Sequence, residues 1–154
     1  MIDTPKVIRT EPAQTAVIRV TVLREQIREV MGPGIQELLA TVAAQGVATK
    51  GAWFTYHFRM DPVVFDFEIG IQVERPITPS GRVKNGSLPT GSAAHTVYHG
   101  PYEGLPEAWG AFDRWCDTAG HQKTGALWEV YSVGPESGGA APSWQTDLYR
   151  PLIS

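Results

Sequence analysis

Glu129 is the residue whose surroundings most clearly suggest chemistry. It lies in the segment 127–131, which reads Leu-Trp-Glu-Val-Tyr. If this segment is a strand, alternation places Glu129 on the same face as Leu127 and Tyr131. Both faces are apolar and should be covered, so a carboxylate buried there needs a partner. Two interpretations stay open: a sheet-edge Glu paired with an Arg or with solvent, and a charged anchor in an aromatic pocket that attracts a cation or activates water.

Aromatic residues that suit such a pocket are abundant. Five Trp, five Tyr and five Phe occur among 154 residues. Tyr and Trp combine a flat apolar body with one polar atom, which is useful in a ligand site. Phe112 and Trp115 have helical spacing and are assigned to the core instead. The aromatic residues predicted to line or rim a ligand site are Trp53, Tyr56, Tyr98, Tyr102, Trp109, Tyr131 and Trp144.

Several other chemistries find no support in the sequence. His95 and His99 lie in a predicted strand, where four residues span about 13 Å at ~3.3 Å each, too far to share one metal ion. The single cysteine, Cys116, provides neither a disulfide nor a zinc site and is expected to be a buried, inert thiol. No H-E-x-x-H sequence, P-loop, Rossmann glycine pattern or G-x-S-x-G elbow occurs. The sequence therefore predicts a site without metal or cofactor.

Hydrophobic periodicity predicts the elements that position these residues. In the first half, the break at Met-Gly-Pro-Gly makes Pro33 the first residue of a helix. That helix presents apolar residues from Ile35 at i, i+3, i+4, i+7 and i+8, and Gly46 ends it. In the second half, Pro106 opens a helix that Gly120 ends. Its predicted inner face is Leu105, Trp109, Phe112, Trp115 and Cys116. Strands are predicted over residues 14–22, 52–60, 65–73, 92–98, 126–133 and 144–150.

The two halves repeat the same order of strand, helix, strand and strand. Pro12 and Pro89 precede the first strands and are 77 residues apart, whereas the helix-ending Gly46 and Gly120 are 74 apart. This spacing indicates a duplicated unit rather than a solenoid. The fold class is therefore predicted as α+β, a single domain over 1–154 with antiparallel sheets. Its pseudo-repeats are predicted over about 5–78 and 82–154, with a ligand cleft between the halves and a polar connector over 81–91.

Composition limits the possible partners and compartments. The formal charge is −3 and the pI about 5.8, so no basic surface is available for nucleic acid. No stretch approaches the ~18 apolar residues of a membrane-spanning helix. The opening residues lack the apolar run of a signal peptide. A reduced, cytoplasmic protein, monomeric and without nucleic-acid or membrane partners, is expected.

The second half resembles the GyrI-like small-molecule-binding family. The resemblance rests on three segments: AAHTVYHGPYEGL over 93–105, WEVY over 128–131, and TDLYRPL over 146–152. It extends over about residues 5–152. That family includes the effector-binding domains of AraC-type and MerR-type multidrug regulators, free-standing gyrase-inhibitor-like proteins, and hydrolases of cyclopropanoid xenobiotics. Its fold is a tandem of strand–helix–strand–strand units, of the SHS2 type. The duplication agrees with this fold independently.

The resemblance implies roles for particular residues. The family's pocket glutamate corresponds to Glu129, where it would hold cationic or polyaromatic ligands between aromatic rings. In hydrolase members the same carboxylate, helped by an aromatic hydroxyl, directs water onto a strained ring. Tyr131 and Tyr98 are the two candidates for that hydroxyl. In the first half, alignment on Gly51 places Thr55 opposite Glu129, and alignment on residues 61–62 places Tyr56 there.

Three functions remain in competition. The first is a stand-alone binding module for bulky, often cationic aromatic compounds, and the second is a xenobiotic hydrolase that uses the same pocket. The third is a gyrase-interacting inhibitor that acts through its acidic surface. The multidrug regulators carry a helix-turn-helix domain ahead of this unit. Only about a dozen residues precede the first predicted strand here, so we expect no direct reading of DNA.

Overall fold

A computed structural model describes residues 1–58, 61–134, 139–140 and 143–153. Within this part of the chain, two α-helices accompany eight strands, and every strand pairing described is antiparallel. The predicted α+β class is therefore confirmed. The elements are β1 (Lys6–Thr10), β2 (Ala13–Leu23), α1 (Ile27–Ala44), β3 (Thr49–His57), β4 (Val64–Val73), β5 (Val83–Leu88), β6 (Gly91–His99), α2 (Leu105–Thr118), β7 (Leu127–Val133) and β8 (Gln145–Pro151).

The chain forms two compact units. One, the contiguous unit, is Pro12–Pro89, and the other, the split unit, combines Met1–Glu11 with Thr90–Ser154. Each contains the predicted succession of strand, helix, strand and strand: β2-α1-β3-β4 in the contiguous unit and β6-α2-β7-β8 in the split unit. Each also has one further strand at the edge of these, β5 beside β2 and β1 beside β6.

In the contiguous unit, the strands lie in the order β3-β4-β2-β5 and α1 packs on one face. The core forms because alternate residues of β2 and β4, such as Ile18 and Ile69, meet the apolar stripe of α1. Leu38 and Val42 of that helix are almost completely buried.

In the split unit, the order is β1-β6-β8-β7 and α2 packs on one face. Phe112 and Cys116 of α2 are fully buried against Ala94 and Leu148 of the sheet. Trp115 is partly buried and also packs against this core, so the predicted inner face of the second helix is confirmed. The thiol of Cys116 is free and buried, and burial raises its pKa.

Two strands and one helix start differ from the sequence-based expectation. β5 lies where a polar connector was predicted, because pairing with β2 supplies its backbone hydrogen bonds while Val83 and Leu88 bury its ends. β1 was not predicted, because only two of its five residues are apolar. α1 begins at Ile27, so Pro33 is inside the helix and not its first residue. Pro33 is exposed there. Because proline has no N–H, the Glu29 carbonyl lacks its helical hydrogen bond, but Glu29 is also exposed, so water can hydrate this carbonyl.

Candidate functional site

Glu129 of β7 is a buried carboxylate held by two neutral donors. Its exposure is 9 %, and both of its oxygens accept short hydrogen bonds. The Tyr131 hydroxyl donates to Oε1 at 2.6 Å, and Nε1 of Trp109 donates to Oε2, also at 2.6 Å. Tyr131 reaches the carboxylate because alternation places it on the same face of β7, two residues further on. Trp109 reaches it from α2, which covers that face.

Neither donor carries a charge, and this decides the electrostatics of the site. Burial raises the pKa of Glu129, and the hydrogen bonds from Tyr131 and Trp109 oppose that rise. Within the described part of the chain, no Lys, Arg or His makes an ion pair with this carboxylate. The interpretation of Glu129 as a sheet-edge residue paired with Arg is therefore wrong. A buried carboxylate without a cationic partner is costly for the fold.

The two donors also fix where the carboxyl group can hold a proton. An indole N–H only donates, so Oε2 must accept from Trp109 in either protonation state. A phenol can donate or accept, so the Tyr131 hydroxyl can adapt to a proton on Oε1. A proton on the carboxyl group is therefore favoured on Oε1, where the Tyr131 hydroxyl can accept it.

Further aromatic rings extend from this pair. Tyr102, in the short 3-10 turn before α2, makes an edge-to-face contact with Tyr131 at a centroid distance of 5.7 Å. The ring centroid of Trp144, just before β8, lies 5.1 Å from that of Tyr102. Nε1 of Trp144 donates to the Gly139 carbonyl at 3.2 Å. The structure thus brings five predicted site residues together in the split unit: Trp109, Glu129, Tyr131, Tyr102 and Trp144.

The structure places the hydroxyl of Tyr98 in a different role. Tyr98 of β6 is 5 % exposed and packs in the core beneath α2. Its hydroxyl donates to the Pro101 carbonyl at 2.8 Å and lies against Gly100 and Gly104. A Cβ at Gly104 would collide with that hydroxyl. Between the two tyrosines considered from sequence, Tyr131 is the one that hydrogen-bonds Glu129.

The two site residues predicted in the first half belong to the contiguous unit. Trp53 packs against the core beneath α1. Tyr56 lies opposite Glu68 in the β3–β4 pairing, and its ring contacts Phe58 edge-on at 5.3 Å. Burial and the nearby Glu68 raise the pKa of Tyr56. Their part in ligand binding, and the cleft expected between the halves, stay predictions.

Strand orientation separates the two first-half residues considered as counterparts of Glu129. Thr55 of β3 pairs with Ile69 of β4, as Glu129 of β7 pairs with Leu148 of β8. Thr55 is 2 % exposed and faces the core, whereas Tyr56 points to the opposite face of the strand. Of the two candidates, Thr55 is therefore the one that has the same core-facing orientation as Glu129.

Sequence reasoning overlooked two buried polar residues. Thr146 of β8 is fully buried on the same face as Leu148, and its hydroxyl has no hydrogen-bond partner among the described residues. His57 of β3 is 8 % exposed, and its Nδ1 likewise lacks a described partner. Neither residue has a local motif that marks it. For His57, the repeat spacing of 74 residues, which relates it to Tyr131, was the signal available in the sequence.

No group of three or more His, Cys, Asp or Glu side chains among the described residues is arranged to hold a metal ion. None of the described helices is long and apolar enough to cross a bilayer.

Comparison with known proteins gives a family match over nearly the whole chain. The GyrI-like small molecule binding domain matches residues 7–153. No curated protein sequence matches significantly.

Solved structures share the fold at low sequence identity. The EcmrR C-terminal domain has a TM-score of 0.86 and 18% identity, covering 98% of each chain. The EcmrR chain in its DNA complex is longer, and this chain spans 57% of it. A hydrolase encoded by lin2189 of Listeria innocua has a TM-score of 0.69 and 12% identity, covering 97% of this chain and 91% of its own. SAV2435 bound to tetraphenylphosphonium has a TM-score of 0.66 and 9% identity, with coverage of 99% and 95%.

Proposed function

The chain belongs to the GyrI-like small-molecule-binding domain family, and on that premise we propose that it captures bulky aromatic cations at Glu129. The observation that carries the proposal is the buried carboxylate, held only by the neutral donors Trp109 and Tyr131. A cationic ligand would supply the missing opposite charge. The surrounding rings would stack on its aromatic groups.

The charge and the rings select the same kind of ligand. Each oxygen of Glu129 already accepts one hydrogen bond, so a delocalised cation that needs no hydrogen-bond acceptor fits well. Tyr131, Tyr102 and Trp144 offer both edges and faces to such a ligand. SAV2435, which has the same fold, binds tetraphenylphosphonium, and this supports the choice of a lipophilic cation as probe.

Titration calorimetry with tetraphenylphosphonium tests the proposal. Tetraphenylborate has a closely similar shape and the opposite charge, which makes it the matched control ligand. We expect saturable binding of the phosphonium and at least tenfold weaker binding of the borate, a difference of about 1.4 kcal/mol. Glu129→Gln should abolish this preference. Equal affinity for the two ions, or a preference that survives in Glu129→Gln, would overturn the proposal.

A second candidate function is hydrolysis of an electrophilic, cyclopropanoid compound. The short hydrogen bond between the Tyr131 hydroxyl and Glu129 Oε1 favours it, because a buried carboxylate with a raised pKa suits a general base. In that reaction water adds to a cyclopropane carbon and Glu129 takes its proton. The ring C–C bond breaks, and its electron pair moves into the conjugated carbonyl, which is then protonated.

Product analysis with a cyclopropanoid substrate separates this candidate from simple binding. Hydrolysis predicts one added water per substrate, and Glu129→Gln should lose turnover even on a neutral substrate. Unchanged substrate after prolonged incubation with the wild type would exclude hydrolysis and leave ligand binding as the remaining function.

A further inference from the structure

His57 occupies the position in the contiguous unit that Tyr131 occupies in the split unit. Both lie two residues beyond the matched pair of Thr55 and Glu129. Those two residues each lie four beyond a glycine, and each pairs with a buried core residue of the neighbouring strand, Ile69 and Leu148. His57 itself pairs with Phe67 of β4. The correspondence therefore rests on sequence spacing, and the strand pairing places both residues on the core-facing side of their strands.

The two positions differ in what their polar atoms contact. The Tyr131 hydroxyl donates to Glu129. In the contiguous unit, Thr stands in place of that glutamate, and Nδ1 of His57 is buried without a hydrogen-bond partner among the described residues. An unpaired buried polar atom lowers the stability of the folded protein. Such an atom calls for an explanation, of which a bound water or a bound ligand is the most common.

The surroundings of His57 limit what can bind there. Its ring stacks on Phe67 at 5.0 Å and meets Phe65 edge-on at 5.5 Å. The Arg24 guanidinium lies over the Phe65 ring, 4.2 Å from its centroid, and its Nε donates to the Asp61 carbonyl at 2.7 Å. Burial, with a contribution from Arg24, lowers the pKa of His57 to about 4. The group is thus a neutral imidazole beside aromatic rings and a fixed positive charge.

We propose that Nδ1 of His57 is a second binding point, which takes the hydroxyl of a neutral phenolic ligand. A hydroxyl both donates and accepts, so it can pair with Nδ1 in either tautomer of the imidazole. The Arg24 charge repels cations and favours the electron-rich oxygen of a phenol. Phe65 and Arg24 are partly exposed, so the ligand would enter by displacing these side chains. This site does not depend on Glu129 or on the proposed capture of cations.

The test compares 2-naphthol with 2-methoxynaphthalene, which differ by one methyl group on the oxygen that would meet Nδ1. Fluorescence titration gives both affinities for the wild type, His57→Phe and Tyr131→Phe. Side-chain ¹⁵N spectra of the wild type report on the His57 nitrogens directly. We expect 2-naphthol to bind at least tenfold more tightly than its ether and to shift the Nδ1 resonance of His57 saturably.

The variants assign this preference to one residue. His57→Phe keeps an aromatic ring against Phe67 and should reduce 2-naphthol binding to the level of the ether. Tyr131→Phe removes the corresponding hydroxyl of the split unit and should leave the preference intact. The proposal is overturned by a wild type that binds neither compound or both equally, by an unshifted Nδ1 resonance, or by a preference that persists in His57→Phe. Any of these outcomes would assign Nδ1 to a buried water. Phosphonium binding, measured separately, would be unaffected.

Discussion

The buried, neutral His57 predicts a specific loss of stability in mild acid. Its pKa is about 4 in the folded protein and 6.5 for an ordinary imidazole, so the unfolded chain takes up the proton first. The neutral form therefore contributes stability that is present above pH 6.5 and is lost as the pH falls towards 4. The full difference of about 2.5 pKa units corresponds to roughly 3 kcal/mol. About 2 kcal/mol of it is already lost at pH 5.

Urea unfolding at pH 7.5 and pH 5 measures this loss. His57→Phe keeps a ring against Phe67 but cannot take up a proton, so its stability should fall about 2 kcal/mol less than that of the wild type between the two pH values. Tyr56→Phe is the control in the same strand. Burial raises the pKa of Tyr56 further above 10, so it does not titrate in this range and should follow the wild type. Equal losses in the wild type and His57→Phe would refute the reasoning.

Three further variants test the packing and the site. Glu129→Gln should be more stable than the wild type at neutral pH. Burial raises the pKa of Glu129 in the folded protein, so ionisation of Glu129 destabilises the wild type as the pH rises above 4.5. The stability gain of Glu129→Gln, measured by urea unfolding, should therefore grow above pH 4.5 and vanish in acid. Trp109→Phe leaves Oε2 without its donor and should cost about 1–3 kcal/mol in urea unfolding, with weaker phosphonium binding; unchanged stability would contradict this. Gly70→Ala forces a Cβ into the Phe54 ring and should lower the free energy of unfolding by about 1–3 kcal/mol.

Regular hydrophobic patterns made the central elements predictable. The six predicted strands and the second helix are present, because alternation and helical spacing reflect the burial of one face. The pattern failed where another element supplied the stabilisation. β5 gains its hydrogen bonds from β2, which is distant in the chain, and β1 gains its bonds from β6. Neither pairing leaves a local trace in the sequence.

The start of α1 shows a second limit. Pro33 predicts a helix start, but the apolar stripe continues on both sides of it, with Ile27 and Met31 before it and Ile35 after it. Packing of that stripe against the sheet outweighs the hydrogen bond that proline removes. A local breaker signal is weaker evidence than a continuous buried face.

For the site, the sequence identified candidate residues but not the hydrogen bonds between them. Glu129, Trp109 and Tyr131 were all named from their residue types and spacing. Which tyrosine serves the glutamate depended on the turn after β6, where the Pro101 carbonyl takes the Tyr98 hydroxyl. The unpaired nitrogen of His57 was invisible, because burial without a partner is a property of the packed structure alone.

The central claim, that Glu129 provides an uncompensated charge for a lipophilic cation, is tested most directly by one comparison. Tetraphenylphosphonium and tetraphenylborate are titrated by calorimetry into the wild type and into Glu129→Gln at the same pH and ionic strength. The account predicts saturable binding of the phosphonium by the wild type, at least tenfold tighter than the borate, and no such preference in the variant. Equal affinity of the wild type for both ions would contradict it.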